Sequence, residues 1–304
     1  MSYLPASLAS RIKGKVLYNE PLKNHTTWRI GGPAEVMVEP ACREDIALLV
    51  DYCRTNGLPL TVIGNGSNLL VSDSGLKGVM LKIGDALGHV SIAGERIIAG
   101  AGAKLGRVAA IAQAAGLGGL EFAVGIPATI GGAVTMNAGA NGAAMADVVE
   151  TVTVIDTRLG EQVLSREELD FGYRTSGLQR LAAVVTETAL KMTPCNPIEI
   201  RRRSEEYLRK RRGSQPLDCP SAGSVFKNPP GEAAGRLIEL AGGKGLRVGD
   251  AAVSEVHANF IVNLGNARAS DVWSLIKKVR EMVQEKFGVF LELEVRVIGE
   301  SGAG

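Results

Sequence analysis

Apolar side chains recur at helical spacing in several segments of the chain. Between residues 43 and 56, Ile46, Leu49 and Val50 fall on one face, and Gly57 follows as a helix-ending residue. Further helices are predicted at residues 104–115, 196–212 and 232–241. A stronger amphipathic pattern lies near the carboxyl end, at Val272, Leu275, Ile276, Val279 and Val283.

Short apolar runs between these helices predict strands. Residues 60–63 form one such run, and residues 148–155 and 162–164 form a hairpin around Leu159-Gly160. The other predicted strands are at residues 79–83, 96–99, 183–192, 259–263 and 290–298. Helices and strands are mixed in both halves of the chain, which indicates an α+β or mixed α/β protein.

The composition is that of an ordinary globular protein, with 45% hydrophobic and 22% charged residues. A formal net charge of +2 gives no reason to expect a nucleic acid or a membrane as a partner. No secretion signal is recognised at the start, and no apolar stretch reaches the length of a membrane span. The 4 cysteines and 3 histidines show no metal-ligand spacing. We therefore expect no metal site and a cytoplasmic protein.

The segment Pro194-Cys-Asn-Pro197 is the best candidate for a domain boundary. Asn196 suits the N-cap and Pro197 the first turn of the helix that follows, and Gly213 is expected to end that helix. The chain is long enough for two or three packed units. We expect one domain at residues 1–195, in two subdomains divided near residue 85, and a second domain at residues 196–304.

A glycine-rich loop, Gly64-Asn-Gly-Ser-Asn68, follows the predicted strand at residues 60–63. Its glycines let backbone N–H groups approach a phosphate, and its last two side chains add donors. A plain turn explains the same residues equally well, since Asn-Gly is a common turn pair. Leu69 stands where a dinucleotide fingerprint needs its third glycine, and in Gly100-Ala-Gly-Ala-Lys-Leu-Gly106 that glycine comes one residue late. The second segment is therefore interpreted as a structural turn.

A second glycine-rich stretch is a more specific indicator of a phosphate site than the first loop. It reads Gly125-Ile-Pro-Ala-Thr-Ile-Gly-Gly132 and continues with Asn137-Ala-Gly-Ala140. Pro127 stiffens its start, and we expect its small residues to expose backbone amides over a long path. Such a path suits a stretched diphosphate better than a packed core. The competing interpretation is a tight crossing of two elements that requires glycine.

The segment Gly223-Ser-Val-Phe-Lys-Asn-Pro229 brings a hydroxyl, an ammonium and an amide into one short piece of chain. These groups can hold an anionic substrate and transfer one proton. No Gly-x-Ser-x-Gly elbow surrounds Ser224, so the usual activation of a serine nucleophile is not indicated. A role for Ser224 other than attack on a carbonyl is therefore favoured.

Taken together, these motifs resemble a known family. The two glycine-rich stretches are similar to the flavin-binding domain of the vanillyl-alcohol-oxidase type. With five further motifs, the chain resembles the UDP-N-acetylenolpyruvoylglucosamine reductase family from about residue 20 to residue 299. The five motifs are Thr26-Thr-Trp-Arg-Ile-Gly-Gly32, Tyr173-Arg174, Gly223-Ser-Val-Phe-Lys-Asn-Pro229, Ala251-Ala-Val-Ser-Glu-Val-His-Ala-Asn259 and Leu291-Glu-Leu-Glu-Val-Arg296.

The resemblance implies an α+β fold, with a flavin-binding domain of this type and a smaller α+β substrate-binding domain. The last strand, at residues 290–299, either belongs to the substrate-binding domain or returns to the flavin domain. FAD is expected to be bound non-covalently, because the glycine loop carries neither His nor Cys. The residues that the resemblance assigns to FAD are Gly64, Asn65, Gly66, Ser67, Asn68, Gly125, Ile126, Pro127, Ala128, Thr129, Gly131, Gly132, Asn137 and Gly139.

The resemblance also implies a reaction, the NADPH-dependent reduction of a nucleotide sugar, UDP-N-acetylglucosamine enolpyruvate, to UDP-N-acetylmuramate in peptidoglycan biosynthesis. Hydride passes from NADPH through the flavin to the vinyl carbon, and Ser224 protonates the neighbouring carbon. Arg174 and Glu294 stabilise the negative charge that develops there. The residues implied to bind the substrate are Lys227, Asn228 and His257, although a lone histidine is just as often structural.

Two other functions stay open at this point. An FAD-dependent oxidase or dehydrogenase of a small alcohol or hydroxy acid would use the glycine loops, but it leaves the Ser224 segment without a role. A flavin- or nucleotide-binding regulator would be favoured by replacement of Arg174, Ser224 or Glu294, and all three are present. No tyrosine-bearing insertion is visible between Arg174 and Ser224, so the chain looks like the shorter form of the family. We expect a monomer.

Overall fold

The computed structural model describes residues 4–299, which form two compact units, each with its own hydrophobic core. The first unit comprises the residues up to Tyr18 together with Val36–Asn65 and Gly78–Lys210. The second comprises Asn19–Glu35, Gly66–Lys77 and the residues from Arg211 onward. The sequence predicts functional domains at residues 1–195 and 196–304. The start of the first and the end of the second lie outside the described residues. The assignment of the first to FAD and of the second to the substrate stays a prediction.

Five of the seven helices named below agree with predicted helices, whereas those at Ala6–Ala9 and Ile130–Thr135 were not predicted. They are α1 (Ala6–Ala9), α2 (Arg43–Thr55), α3 (Leu105–Ala114), α4 (Ile130–Thr135), α5 (Pro197–Ser214), α6 (Ala234–Leu240) and α7 (Ala269–Phe287). The apolar faces predicted for α2 and α7 are buried. Asn196 caps α5 as expected, because its Oδ1 accepts a hydrogen bond of 2.9 Å from the amide of Ile198. The helix continues past Gly213 and ends at Ser214.

The strands lie singly or in groups between and after these helices. They are β1 (Lys15–Pro21), β2 (Pro33–Glu39), β3 (Leu60–Ile63), β4 (Leu69–Val71), β5 (Leu76–Lys82), β6 (Val90–Ala93), β7 (Arg96–Gly100), β8 (Leu117–Gly118), β9 (Gly139–Ala140), β10 (Ala143–Ala144), β11 (Val149–Asp156), β12 (Gly160–Ser165), β13 (Ala183–Lys191), β14 (Thr193–Pro194), β15 (Arg247–Val248), β16 (Ala251–Val253), β17 (Ile261–Asn263) and β18 (Arg296–Ile298). The predicted hairpin is confirmed as β11 and β12, with Ile155 opposite Glu161.

The first unit is built around a five-stranded antiparallel sheet in the order β12-β11-β13-β7-β6. Val152 and Val154 of β11 are buried, so the alternation of the strand turns one face toward the core. Helix α4 packs against β13 and β7, and α2 packs against β11. The sheet therefore carries the glycine-rich stretch in which α4 lies. A second sheet has the order β1-β2-β5-β3, and in it β3 and β5 run parallel.

The second unit contains a three-stranded antiparallel sheet in the order β15-β16-β17. Helix α7 packs against β15 and β16, and α6 packs against α7. Trp28 is completely buried, and its Nε1 donates a hydrogen bond of 2.8 Å to the carbonyl oxygen of Ile261. Strand β18 runs parallel to β4, with Arg296 opposite Leu69. This pairing joins the last strand to the chain that follows the first glycine loop.

Two sequence predictions were wrong in detail. No helix was predicted within residues 125–142, yet α4 lies there. Glycine is a poor helix former, but Ile130 and Val134 bury one face of α4, and Thr129 Oγ1 accepts a hydrogen bond of 3.4 Å from the amide of Gly132. The strand predicted at residues 290–298 is reduced to β18, because the residues before it form only one isolated bridge, between Phe226 and Leu293.

Membrane insertion finds no support in the helices of residues 4–299. None of them combines the length and the apolar character that a membrane-spanning helix requires.

Candidate active site

The two glycine-rich segments meet inside the first unit. Asn65 Nδ2 donates a hydrogen bond of 2.7 Å to the carbonyl oxygen of Pro127. A Cβ atom on Gly64 would overlap Thr129 Oγ1, so this approach requires glycine. Gly125 has a φ of +78° and Gly125 and Pro127 are exposed, whereas Ile126, Ala128, Gly131 and Gly132 are partly exposed. The fold of the first unit thus brings Gly64 and Asn65 against the stretch at residues 125–132.

The first loop leaves backbone donors available. Within residues 4–299, the amide N–H groups of Asn65, Gly66 and Ser67 donate to no protein acceptor. Gly66 has a φ of +63°, and a Cβ atom there would overlap the carbonyl oxygen of His25. Within the second unit, the consecutive free amides of Gly66 and Ser67, beside a left-handed residue, suit a phosphate oxygen. Gly66, Ser67 and Asn68 belong to the second unit, and Gly64 and Asn65 to the first.

The second segment departs from the sequence expectation. We expected the amides of residues 125–132 to be exposed for a diphosphate, but most of them already have acceptors in the protein. The amides that donate to protein oxygens are those of Ile126, Ala128, Ile130, Gly131 and Gly132. The glycines here serve close packing, since a Cβ atom on Gly131 would lie 3.0 Å from Ala101 Cβ. This segment therefore supplies a smooth, small-residue surface, and the first loop supplies the free donors.

The side chain of Asn137 is fully engaged within the first unit. Its Nδ2 donates a hydrogen bond of 2.9 Å to the carbonyl oxygen of Gly172, and its Oδ1 accepts one of 3.0 Å from the amide of Ala146. Asn137 is buried and has a φ of +43°. Gly139 follows in β9, and its carbonyl oxygen accepts a hydrogen bond from Arg174. Asn137 thus connects the glycine-rich stretch to the turn that carries Arg174.

Arg174 lies in a tight turn whose ends are Gly172 and Thr175. The amide of each end residue donates to the carbonyl of the other, at 3.0 and 3.2 Å. Arg174 has a φ of +57°, a conformation that side chains other than Asn and Gly rarely adopt. Its Nη1 donates a hydrogen bond of 2.9 Å to the carbonyl of Gly139, and its guanidinium lies 5.5 Å from the ring centroid of Tyr173. Strain of this kind is typical of functional positions.

Ser224 lies in the second unit, in a segment held by Asn259. The carbonyl oxygen of Asn259 accepts from the amide of Val225 at 2.8 Å, and its side chain bonds to both the N–H and the C=O of Phe226, at 2.9 and 2.8 Å. Gly223 has a φ of +76°, which turns the chain just before Ser224. Within the described residues the Ser224 hydroxyl has no hydrogen-bond partner, and it is partly exposed. Ser224 is therefore a rigidly held donor with its proton available.

The segment that contains Glu294 runs alongside the Ser224 segment. The amide of Glu294 donates a hydrogen bond of 2.8 Å to the carbonyl of Val225. Asn68 Nδ2 donates one of 3.1 Å to the carbonyl of Glu294. The guanidinium of Arg280 lies 6.0 and 4.8 Å from the ring centroids of Phe226 and Phe290, and burial lowers its pKa. Backbone contacts and a stacked arginine thus fix Glu294 and Ser224 in one part of the second unit.

The three residues predicted to bind substrate have different surroundings. Lys227 Nζ lies 3.3 Å from Glu292 Oε2, and Asn228 Oδ1 accepts a hydrogen bond of 3.0 Å from the amide of Ala234 at the start of α6. His257 Nδ1 accepts from the amide of Asn259 at 3.2 Å, and its ring packs edge-on against Phe260 with 4.9 Å between centroids. Burial lowers the pKa of His257. Its contacts are those of a structural histidine.

Sequence reasoning missed the residues that hold the candidate catalytic groups in place. Gln179, Asn259 and Arg280 each bond to the backbone of a segment that carries Arg174, Ser224 or Glu294. Asn259 is the last residue of the motif at residues 251–259, but its contact with Phe226 joins residues that are 33 apart in the sequence. Such long-range contacts leave no periodic pattern from which they could have been predicted.

Comparison with known proteins gives a family to both parts of the chain. Residues 215–298 match the model described as UDP-N-acetylenolpyruvoylglucosamine reductase, C-terminal domain, and residues 34–164 match the model described as FAD binding domain. The α+β fold class and the predicted FAD-binding domain are confirmed. FAD is the cofactor, as the match of residues 34–164 to an FAD binding domain shows.

Relatives of the same description cover nearly the whole chain. The UDP-N-acetylenolpyruvoylglucosamine reductase of Desulforamulus reducens is 49% identical over 297 residues, with 98% of each chain covered. That of Moorella thermoacetica is 49% identical over 300 residues, with 99% of each chain covered. A crystal structure of UDP-N-acetylenolpyruvylglucosamine reductase from Thermus caldophilus is 43% identical, with a TM-score of 0.82, and the match covers 95% of this chain and 100% of that one. The chain therefore belongs to the UDP-N-acetylenolpyruvoylglucosamine reductase family.

Proposed function

We propose that the protein catalyses the NADPH-dependent reduction of UDP-N-acetylglucosamine enolpyruvate to UDP-N-acetylmuramate in peptidoglycan biosynthesis. The observation that carries this proposal is the unpartnered hydroxyl of Ser224, held in a segment that is hydrogen-bonded to the segment of Glu294. The reduction of an enol ether needs a proton donor of this kind, whereas the reaction of a flavin oxidase does not need one. Near-complete coverage by relatives named as reductases of this substrate supports it.

The first loop fits the diphosphate of FAD, because the amides of Asn65, Gly66 and Ser67 are available there. The surface of small residues around Gly131 and Gly132 allows the cofactor a close approach. FAD, when bound, accepts hydride from NADPH and supplies it to the enolpyruvyl double bond. Asn137 is proposed to support this region from within the fold, since both polar atoms of its side chain bond to the protein.

Ser224 would deliver the proton that completes the reduction. Addition of hydride to the terminal vinyl carbon leaves negative charge on the carbon that bears the ether oxygen and the carboxylate. That carbon is a far stronger base than a serine alkoxide in water, so a serine hydroxyl is acid enough to protonate it. The proton moves from Ser224 Oγ to this carbon, and solvent water restores the hydroxyl. No partner base is required, which agrees with the absence of a catalytic triad.

Arg174 and Glu294 would stabilise the charge as it develops. The guanidinium of Arg174 matches a carboxylate with two parallel hydrogen bonds, and its backbone geometry is fixed by the turn. Glu294 is proposed to act in its protonated form, because an ionised carboxylate would oppose the negative charge. Charge stabilisation of this kind is commonly the largest contribution to catalysis.

The remaining residues would hold the rest of the substrate. Lys227 and Asn228 are proposed to bind its diphosphate or sugar, and His257 to support the substrate region through its contacts with Asn259 and Phe260. The substrate is a nucleotide sugar, and NADPH is the co-substrate. We further propose that the protein works as a monomer in the cytoplasm, without a nucleic acid or a membrane as a partner.

The experiment that tests this function follows the absorbance of bound FAD in the purified protein. Under anaerobic conditions, NADPH should bleach the flavin, and UDP-N-acetylglucosamine enolpyruvate should restore its colour at a rate compatible with turnover. Restoration only by oxygen would support the alternative, an FAD-dependent oxidase of a small alcohol or hydroxy acid. Purified protein that neither retains nor binds FAD would exclude both enzymes.

A further inference from the structure

The backbone of Arg174 needs outside support. Arg174 occupies the second central position of the turn between Gly172 and Thr175, and its φ there is positive. Glycine or asparagine usually fills this position, because a longer side chain crowds the backbone there. An arginine with a φ of +57° persists only when neighbouring groups fix the turn. The guanidinium direction therefore depends on whatever holds this backbone.

Gln179 provides a contact to that backbone. Its Nε2 donates one hydrogen bond of 3.2 Å to the carbonyl of Arg174 and another of 3.0 Å to the carbonyl of Thr135 at the end of α4. The buried Ser176 also donates to the carbonyl of Thr135, at 2.8 Å. Thr135 Oγ1 in turn donates to the carbonyl of Gly131, at 2.8 Å. The turn is thereby connected to the glycine-rich stretch by an unbroken set of hydrogen bonds.

We propose that Gln179 is a positioning residue for the reaction, which acts by holding the backbone of Arg174 at its strained φ. The inference rests on the role proposed for Arg174 in the reduction. Gln179 is suited to this because its amide nitrogen carries two hydrogens that two backbone carbonyls accept, with the weaker acceptor Met136 Sδ 3.5 Å from the same nitrogen. With the turn fixed, Arg174 Nη1 remains 2.9 Å from the carbonyl of Gly139. Without it, the turn can relax toward negative φ and redirect the guanidinium.

The sharpest variant is Gln179→Glu, which keeps the size of the side chain and removes both donors. A carboxylate in this place accepts hydrogen bonds only, and it would face two carbonyl oxygens. Gln179→Ala removes the same bonds without adding charge, so it serves as the second variant. Gln162→Glu is the matched control, because Gln162 Nε2 also donates to two backbone carbonyls, those of Leu159 and Glu161 in the β11–β12 hairpin.

Steady-state kinetics and melting temperatures are measured for the three FAD-loaded variants. We expect both Gln179 variants to lower kcat about 10- to 100-fold, because a displacement of about 1 Å in a positioned group can cost about 100-fold in rate. KM for the enolpyruvyl substrate should change by less than about threefold, since Arg174 acts on charge that develops in the transition state. The control should keep kcat. An unchanged kcat in both Gln179 variants, or a loss as large in the control, would overturn the proposal.

A double-mutant cycle with Arg174→Ala separates positioning from other causes. If Gln179 acts through Arg174, then Gln179→Ala lowers the single-turnover rate by less than about twofold once Arg174 is already alanine. A full additional loss in that background would contradict the inference. If Arg174→Ala itself leaves the rate intact, the role of Arg174 in the proposed function fails. If Arg174→Ala slows the reaction and the Gln179 variants do not, only the positioning role fails.

Discussion

The amide nitrogen of Glu294 donates a hydrogen bond of 2.8 Å to the carbonyl oxygen of Val225, the residue that follows Ser224. Ser224 and Glu294, which have proposed catalytic roles, are 70 residues apart in the sequence (294 − 224 = 70). Their backbone segments are nevertheless adjacent and hold both residues in place. Asn259 holds the same segment from its other side through Val225 and Phe226. The arrangement depends on the second unit alone, so its integrity can be tested by stability as well as by activity.

Replacement of Asn259 by leucine should destabilise the protein. The side chain of Asn259 is 3% exposed and satisfies both the N–H and the C=O of the buried Phe226. Two buried backbone groups would lose their partners, at a cost of about 1–3 kcal/mol each, so we expect a decrease of about 2–5 kcal/mol in the free energy of unfolding. Urea denaturation measures this, with the exposed Asn56→Ala as control. A decrease below about 0.5 kcal/mol, the usual range for a surface substitution, would contradict the contact.

Gly66→Ala should prevent FAD from being retained. The position has a φ of +63°, and a Cβ atom there would overlap the backbone carbonyl of His25, which cannot move aside as a side chain could. Gly106→Ala is the control, because Gly106 lies in α3 with no atom within 4 Å of an added Cβ. Alanine in a helix is favoured over glycine by about 1 kcal/mol, so the control should fold at least as well as the parent. The flavin absorbance of the purified proteins decides; retention of FAD by Gly66→Ala would show that the loop does not hold it.

The stability of the protein should decrease as the pH is lowered, and protonation of His257 should cause part of this decrease. Burial lowers the pKa of His257 in the folded protein, so the unfolded chain binds the proton more readily. The neutral histidine therefore contributes fully to the free energy of unfolding above the pKa of the unfolded chain, about 6.5. This contribution is lost as the pH falls through the pKa of His257 in the folded protein. Urea midpoints at pH 8 and pH 5.5 should differ less in His257→Gln than in the parent protein. An equal difference in both proteins would mean that His257 does not carry this pH dependence.

Lys227→Ala should raise KM for the substrate more than it lowers kcat. Lys227 pairs with Glu292 at 3.3 Å, and the pair is open to solvent because Lys227 is partly exposed and Glu292 is well exposed. Exposed ion pairs contribute about 0–1 kcal/mol to stability, so the variant should fold normally and lose ground-state binding instead. Lys244→Ala removes a comparable pair with Glu239, at 2.7 Å, and should leave KM unchanged. A loss confined to kcat in Lys227→Ala would contradict a role in binding the diphosphate or sugar.

The elements that the sequence predicts well are those with a strong local period. Helices α2 and α7 follow from apolar residues on one face, and the β11–β12 hairpin follows from alternation around Leu159-Gly160. Helix α4 was missed because Gly131 and Gly132 argue against a helix, and only the burial of Ile130 and Val134 in the folded unit overrides them. The last strand was overestimated, because an apolar and acidic alternation from residue 290 looks like a strand even where a side chain, Arg280, satisfies the carbonyl of Leu291.

The candidate site divides in the same way. Arg174, Ser224 and Glu294 could be predicted from motifs, because their residue types and order match a family pattern that is visible along the chain. The free amides of the first loop, the occupied amides of the second and the support of Arg174 by Gln179 are properties of the folded backbone. Which of two glycine-rich segments offers donors to a phosphate depends on hydrogen bonds to Ala101 and Ala103, which belong to the segment interpreted as a structural turn.

The half-reactions of Ser224→Ala test the central claim most directly. Stopped-flow absorbance of the FAD-loaded variant should show reduction by NADPH at the parent rate, because Ser224 takes no part in that step. Reoxidation by UDP-N-acetylglucosamine enolpyruvate under anaerobic conditions should be slower by about 10³-fold or more, equivalent to about 4 kcal/mol of barrier. Ser221→Ala, three residues earlier in the same loop, is the control and should reoxidise normally. Reoxidation of Ser224→Ala at the parent rate would contradict the role of Ser224 as the proton donor.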